Sequence, residues 1–259
     1  MKRFHLVVFT VVTLAAGWIG AAVDDAVGLE SGQGPGMLIW ILLPFLTSAL
    51  LRSLGGRRGW SDFGLRPAFG GHLGSYAISI LFYPAIALAV GGFGLLIGRL
   101  EGRFDAAADA WRIGASVLVI SQIWTNLFEE FAFRGYLAPK GLAAFRSRWT
   151  AHLLTGLVWG AWHIPYLPVI SPFAGERLVT LVPRFLAAAV AASLVYGEIR
   201  HRTGSLWPAV LMQFTGGLTF GLAARAVVPL GADWLFLPSF EGGLVILVSF
   251  GVGWAMMRR

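Results

Sequence analysis

The chain has no cysteine among its 259 residues. It therefore has no disulfide framework, no Cys-ligated zinc and no thiol nucleophile, so its chemistry must depend on carboxylates, histidines, hydroxyls or amides. Charged residues are also scarce, at 13%, whereas hydrophobic residues make up 57%. A soluble domain has about 25% charged residues, and disordered or repetitive chains have compositions that this sequence lacks. With these classes excluded, the composition predicts a polytopic membrane protein.

Eight apolar runs are long enough to cross a bilayer core of about 30 Å, which takes about 20 residues per helix. The runs cover 6–23, 35–51, 74–98, 113–137, 151–170, 180–197, 205–224 and 240–257. We predict an all-α, polytopic membrane helix bundle of about eight transmembrane helices, with residues 1–259 as a single integral-membrane domain. The second run, with Pro44, and the sixth, with Pro183 and Arg184, are the weakest. The first run also fits a cleaved signal peptide, although its length favours a retained helix.

Basic residues concentrate in the loops on the side of the N-terminus, which hold 14 of the 20 lysines and arginines, while most acidic residues lie on the other side. The positive-inside rule then predicts a multi-pass protein of the cell membrane with both termini in the cytoplasm. The longest inner loop, Ser53–His72, is predicted to lie at the membrane interface. The scattered basic residues form no stripe with exposed aromatics, so we expect a lipid bilayer and no nucleic acid as partner.

Two adjacent acids, Glu129 and Glu130, lie deep in the fourth run. Glu130 and Arg134 have the i,i+4 spacing of a favourable ion pair. Glu129 points about 100° away and has no partner on its own helix, and Gln122 and Asn126 extend a polar stripe. One interpretation is a structural ion pair, with Glu129 bonded to another helix. The other makes Glu130 and Arg134 scaffold and Glu129 a general base.

His163 lies in the fifth run, where a lone histidine is more often a core residue than a catalyst. At 1.5 Å per residue from the N-terminal side of the membrane, Glu129 lies about 12 Å deep, His163 about 15 Å and Gln213 about 12 Å. A carboxylate and an imidazole at one level could deprotonate and orient a water, which predicts hydrolysis. His152 lies about 16 Å from His163, too far to share a metal, and is predicted to be an interfacial histidine.

Three segments carry a resemblance, and they read EEFAFRGYL at 129–137, WGAWHIP at 159–165 and RTGSLWPA at 202–209. Together they resemble the CPBP or CAAX-protease-like family of intramembrane endopeptidases, which includes the eukaryotic prenyl-protein endopeptidase. The similarity covers roughly residues 115–220, which would be the catalytic core. It implies that Glu129 and His163 activate the hydrolytic water while Arg134 holds Glu130.

The last motif of the family departs from its usual form in this chain. The family has a histidine and then an asparagine where this sequence has Gln213 and Gly217, and that pair is thought to stabilise the oxyanion or complete a metal site. Gln213 can still donate an amide hydrogen bond to an oxyanion, but it is a poor zinc ligand. We therefore favour no cofactor. A divalent metal such as zinc would have Glu129 and His163 as candidate ligands.

Three function classes stay open from the sequence. The leading one is an endopeptidase that hydrolyses a peptide bond in a membrane-anchored protein or peptide entering from the cytoplasmic half. The second is a non-catalytic family member that acts as an immunity, scaffold or regulatory protein, which the altered residues Gln213 and Gly217 favour. The third is a proton-coupled carrier, although the chain lacks the paired broken spans typical of such proteins.

Overall fold

A computed structural model describes residues 2–171, 176–231 and 234–258, without the side chains of residues 2, 106–118 and 121. Five charged residues used in the orientation argument therefore lie outside the described side chains: Lys2, Asp109, Arg112, Asp233 and Arg259.

The predicted all-α class is confirmed. Among the described residues, eight long helices overlap the eight apolar runs: α1 (Lys2–Ala26), α2 (Gly36–Ser53), α4 (Leu73–Leu96), α5 (Phe104–Ala132), α7 (Arg148–His163), α9 (Leu178–Thr203), α10 (Trp207–Ala226) and α11 (Gly243–Arg258). Shorter helical segments join them: α3 (Gly56–Gly59), a π-helical turn (Phe133–Leu137), α6 (Ala138–Phe145), a 3₁₀ turn (Ile164–Tyr166), α8 (Leu167–Ile170) and a 3₁₀ turn (Trp234–Phe236). Two short strands, β1 (Leu100–Gly102) and β2 (Val227–Pro229), pair antiparallel.

Five helical stretches of the described residues are long and apolar enough to cross a membrane: Arg3–Ala26, Gly36–Ser53, Leu73–Leu96, Arg148–Ile170 and Leu178–Thr203. The two runs expected to be weakest are among them, so that expectation is wrong. Pro44 and Pro183 lie inside α2 and α9 without ending either helix. Arg184 is paired with Glu176 and lies 5.1 Å from the ring of Trp234, so its charge is compensated. The full count of eight spans stays a prediction.

The helix ends lie on two opposite faces, which hydrogen bonds between distant segments identify. On the face that carries both chain ends, the termini face, Arg148 Nη2 donates to the Met257 carbonyl at 2.6 Å. On the other, the distal face, the Ser171 hydroxyl donates to Glu241 at 2.8 Å, and β1 and β2 join the end of α4 to the end of α10. The directions of the long helices follow: α5 begins on the distal face, whereas α7 and α10 end there.

Close packing of α1 and α2 depends on small residues and a buried carboxylate. A Cβ at Gly20 would collide with the carbonyl oxygen of Gly36, so the two backbones touch. Asp24 accepts hydrogen bonds from the backbone N–H groups of Gly36, at 2.7 Å, and Gly32, at 3.2 Å. A carboxylate at the start of α2 satisfies donors that a helix N-terminus leaves free.

The loop 53–72 is packed against the rest of the protein, while its predicted position at the membrane interface stays a prediction. The Phe63 side chain is buried at 4% exposure, and the Trp207 indole donates to the Leu65 carbonyl at 2.6 Å. Asp62 forms ion pairs with Arg52 of α2, at 2.6 Å, and Lys140 of α6, at 2.9 Å. The loop is therefore packed onto the helix ends of the termini face, since its aromatic and charged residues have partners there.

Candidate active site

The predicted ion pair between Glu130 and Arg134 is present and fully buried. The Arg134 Nη1 atom lies 2.8 Å from Glu130 Oε1, and both side chains are 0% exposed. The guanidinium lies 4.4 Å from the ring centres of both Trp159 and Tyr196, and its Nη2 atom contacts the Ser193 hydroxyl at 3.4 Å. Two aromatic faces and a carboxylate compensate a charge that would be costly to bury alone.

The ion pair lies where α5 changes into the π-helical turn 133–137. Such turns widen the helix by one residue and are frequent at functional sites. Two arginines from other helices donate to its carbonyl groups: Arg52 to Gly135, and Arg200 Nε to Arg134 at 3.3 Å. A Cβ at Gly135 would collide with the ring of Phe63, so the turn fits against the packed loop only with glycine there.

Glu129 has no partner on its own helix, as predicted, but it has two on other helices. Its Oε2 atom accepts a hydrogen bond from Trp159 Nε1 at 3.1 Å and another from Gln213 Nε2 at 2.7 Å. The Glu129 residue is 9% exposed. Since both bonds end on Oε2, Oε1 is the carboxylate oxygen left for a water among the described residues.

Gln213, predicted as a donor to the oxyanion, therefore uses one amide hydrogen on Glu129. A primary amide has two such hydrogens, so one remains for another acceptor. The Gln213 Oε1 atom is buried without a partner among the described residues.

His163 ends α7, and its ring orientation is fixed by its own helix. Its Nδ1 atom lies 2.8 Å from the carbonyl oxygen of Trp159. Because a carbonyl only accepts, Nδ1 carries the hydrogen, and the neutral ring keeps its lone pair on Nε2. Aromatic rings surround the imidazole, with centres at 5.5 Å for Trp40, 4.6 Å for Trp162 and 5.1 Å for Phe185.

One cavity of about 860 Å³ brings most of the predicted site residues together. Glu129, His163, Gln213 and Gly217, contributed by α5, α7 and α10, all line it, as do Gln122 and Asn126 of the predicted polar stripe. Glu130 and Arg134 do not line it but lie behind Trp159 and Tyr196. The structure thus separates the cavity-lining carboxylate from the ion-paired one.

The space beside Gly217 is already filled by an amide from another helix. A Cβ at position 217 would collide with the side-chain amide of Gln122. Gln122 Oε1 in turn accepts a hydrogen bond from Asn126 Nδ2 at 3.1 Å. Gly217 supplies no side-chain group, as expected, but α5 places an amide where a side chain at 217 would lie.

Trp159 and Glu198 are the important residues whose roles the sequence did not reveal. The Trp159 indole bonds to Glu129 and the Trp159 carbonyl to His163, so this residue connects the two. Its i,i+4 spacing to His163 was the available signal. Glu198 is fully buried and bonded to His152, at 3.1 Å, and Arg148, at 2.9 Å.

His152 lies near the start of α7, fully buried and bonded to Glu198, and its predicted position at the membrane interface stays a prediction. The i,i+4 spacing of Glu198 and Arg202, which lie 3.6 Å apart, was a usable signal for this cluster. Neither His152 nor Glu198 lines the cavity of Glu129.

A metal site of the usual kind does not fit these residues. Catalytic zinc takes three protein ligands, and no group of three His, Cys, Asp or Glu suitable for a metal occurs among the described residues. Glu129 and His163 are two candidate ligands, but Gln213 presents an N–H donor to Glu129, and Glu130 is held by Arg134.

One comparison with known protein families finds a match in the middle of the chain. Residues 111–219 match the family described as type II CAAX prenyl endopeptidase Rce1-like. The matched range includes Glu129, Glu130, Arg134, His163 and Gln213, and it confirms the resemblance carried by the three segments. No curated protein matches the chain.

Proposed function

We propose that this CAAX-protease-like membrane protein is an endopeptidase that hydrolyses a peptide bond in a membrane-associated substrate, with Glu129 and His163 activating the water. The observation that carries the proposal is the joint position of Glu129 and His163 on one cavity, each fixed by a hydrogen bond to Trp159. A buried carboxylate and a neutral imidazole in a cavity are the groups that general-base hydrolysis needs.

The chemistry follows from the free atoms of the two residues. A water between the two residues donates one hydrogen bond to Glu129 Oε1 and another to His163 Nε2. Glu129 takes the proton as the water oxygen bonds to the scissile carbonyl carbon. It then gives that proton to the leaving amine as the C–N bond breaks, so the carboxylate is regenerated.

Amide side chains are available for the developing oxyanion. Gln213 keeps one amide hydrogen beyond its bond to Glu129, and Gln122 uses only its oxygen on Asn126. A single oxyanion donor is worth about 2.7–4 kcal/mol, or 10²–10³ in rate. We therefore expect activity that is low but measurable, because glutamine replaces the usual histidine.

Cleavage of candidate peptides by purified protein tests the proposal. Glu129→Ala and His163→Ala should each lower turnover by about 10²–10⁴, the typical contribution of a positioned acid or base. Glu30→Gln, which changes an exposed carboxylate outside the cavity, is the matched control and should cleave as the wild type does. Equal turnover in wild type and both alanine variants would exclude this catalytic assignment.

A non-catalytic membrane protein is the second candidate, and one contact favours it. Gln213 already occupies Glu129 Oε2 at 2.7 Å, so the carboxylate has a structural use. In that case a cellular phenotype should survive Glu129→Gln, which keeps the volume, but disappear with Arg134→Ala, which breaks the buried pair. Loss of the phenotype with Glu129→Gln in a stably folded protein supports the peptidase instead.

Chelation separates the two possible modes of water activation. If Glu129 and His163 act without a metal, dialysis against a strong zinc chelator should leave peptide cleavage unchanged. A known zinc peptidase treated in parallel is the control and should lose its activity. Loss of cleavage that returns on adding zinc would show that the chain uses a metal.

A further inference from the structure

We propose that the cavity of Glu129 opens on the distal face, so that the peptide substrate approaches from the side opposite both chain termini. The position of the opening is inferred from the residues that line the cavity. That a peptide substrate enters through it rests on the proposed function. This direction differs from the access through the cytoplasmic half that the sequence suggested.

Helix α10 shows the direction of the cavity most clearly. Its lining residues Gln213, Gly217, Gly221 and Arg225 are spaced four apart and therefore share one face of the helix. They begin beside Glu129 and continue to the last turn, from which β2 leaves on the distal face. At 1.5 Å per residue this lining extends about 18 Å along the helix.

The other helices line the cavity over the same part of their length. On α5, which begins on the distal face, Gln122, Thr125 and Asn126 precede Glu129. On α2 the lining residues lie in its first two turns, near the distal face. After His163 the lining resumes at Ile170–Ser171, where the segment reaches that face.

The exposure of the lining residues increases from Glu129 toward the distal face. Glu129 and His163 are 9% and 7% exposed at the deep end, whereas Ala224 and Arg225 are exposed at the other. Glu129 and Arg225 thus mark the closed and open ends.

Beyond Glu129, toward the termini face, the interior is filled. The fully buried Glu130–Arg134 pair and the side chains of Trp159 and Tyr196 occupy it, and the Arg52 guanidinium, bonded to the π-helical turn, lies further on. Among the described residues, these groups close the side of the cavity that faces the termini.

The lining also indicates the kind of peptide that fits. Most of the wall is apolar or aromatic, including Trp40, Ile41, Phe185, Phe220 and Phe240. Polar side chains lie at its two ends, with Gln122, Asn126 and Gln213 near Glu129, and Ser171, Arg225 and Glu241 toward the distal face. We therefore expect apolar side chains on both sides of the scissile bond. With the termini in the cytoplasm, as the charge distribution predicts, such a peptide belongs to the non-cytoplasmic part of a membrane protein.

Single-cysteine labelling tests this directly, because the natural chain has no cysteine. Gly221→Cys places a thiol in the cavity without a clash, since the nearest atom to a Cβ there is Arg225 Nη1 at 3.8 Å. Glu30→Cys and Ser61→Cys, at exposed loop positions, mark the distal and termini faces. A membrane-impermeant, sulfonated maleimide is applied to right-side-out and to inverted membranes.

We expect Gly221→Cys to react from the side on which Glu30→Cys reacts and not from the side of Ser61→Cys. Ala223→Cys is the matched control, because it lies at nearly the same depth but about 200° around α10 and does not line the cavity. Thiols react with maleimide as hydrated thiolates, so Ala223→Cys should react about tenfold more slowly or less. Labelling of Gly221→Cys together with Ser61→Cys, or no faster than Ala223→Cys, overturns the proposal.

Ala224→Cys, at the mouth of the cavity, provides a second probe if Gly221→Cys does not fold. Its labelling together with Glu30→Cys supports the proposal, and its labelling together with Ser61→Cys overturns it. Labelling needs no catalytic activity, so its result is independent of the proposed function. Distal labelling combined with unchanged cleavage in Glu129→Ala would retain the open face and remove the peptidase assignment. Labelling from the termini face with a Glu129-dependent activity would do the reverse.

Discussion

Gly217 and Gln122 show how one residue determines what another position tolerates. The sequence suggests that Gln213→His with Gly217→Asn should restore a complete last motif and raise turnover. The structure shows that the Gln122 amide already fills the space of any side chain at 217. Position 217 of α10 has no side chain, and the Gln122 amide of α5 occupies that space instead.

We expect Gly217→Asn alone to lower the free energy of unfolding by about 0.5–1.5 kcal/mol, because the Gln122 amide must move and give up its hydrogen bond to Asn126. Gln122→Ala combined with Gly217→Asn should be no less stable than Gln122→Ala alone, because the colliding amide is already gone. Thermal unfolding in detergent measures both variants. Gln122→Ala alone is the control, and additive losses in the double variant would contradict the contact.

The ion pair gives a second prediction for single residues. Arg134→Ala leaves the Glu130 carboxylate uncompensated and removes the cation between Trp159 and Tyr196, at a cost of about 3–5 kcal/mol. Glu129→Ala removes an acceptor at the edge of a cavity that water can enter, so its effect on unfolding should be smaller. A series of melting temperatures in which Glu129→Ala is the more damaging variant would reverse the assignment of the two glutamates.

At the scale of secondary structure, the π-helical turn depends on the loop that packs beside it. Arg52 donates to Gly135 in the turn and also binds Asp62 at 2.6 Å, and Arg200 Nη2 donates to the Asp62 carbonyl at 2.5 Å. One aspartate therefore orients the two arginines that satisfy the carbonyl groups of the turn. This couples loop 53–72 to the end of the helix that carries Glu129.

Asp62 makes this coupling dependent on pH. Burial by itself would raise the pKa of the Asp62 carboxyl, but hydrogen bonds and charges from Arg52 and Lys140 hold that pKa below its usual value of 3.8. A carboxyl whose pKa is lower in the folded state stabilises the fold above its unfolded pKa. That stabilisation is lost as pH falls through the folded pKa.

We therefore expect Asp62→Asn to lower the melting temperature at pH 7 and the difference from wild type to shrink as pH falls below 4. Melting curves between pH 7 and pH 3 measure this. Asp25→Asn, at an exposed acid on the distal side, should follow the wild-type curve. A difference that stays constant over this range would show that the charge of Asp62 is not what stabilises the loop.

For the whole molecule, the two faces give the orientation a direct test. We expect a fusion after the end of α11 and one in 139–147 to report the cytoplasm, whereas a fusion at residue 30 reports the opposite side. Alkaline phosphatase, active only outside, and a fluorescent protein, active only inside, provide paired readouts at each position. A cytoplasmic reading at residue 30 together with one at the chain end would refute the eight-span prediction.

The sequence by itself determined those features that depend on neighbours along one helix. The eight apolar runs became helices because each run is long enough to satisfy its own backbone and apolar enough for lipid. The Glu130–Arg134 pair was predictable because i,i+4 side chains meet on one face whatever the rest of the fold does. Depth counting also placed Glu129, His163 and Gln213 near one another, since the rise per residue is fixed.

Tertiary structure alone decided the contacts between helices that are distant in the chain. The two bonds on Glu129 Oε2, the filled space beside Gly217 and the bond from Lys140 to Asp62 join segments separated by 30 to 95 residues in the chain. Helical periodicity orients a residue about its own axis but does not determine how two helices are rotated toward each other. The open side of the cavity likewise depends on where several helices separate, which only their packing determines.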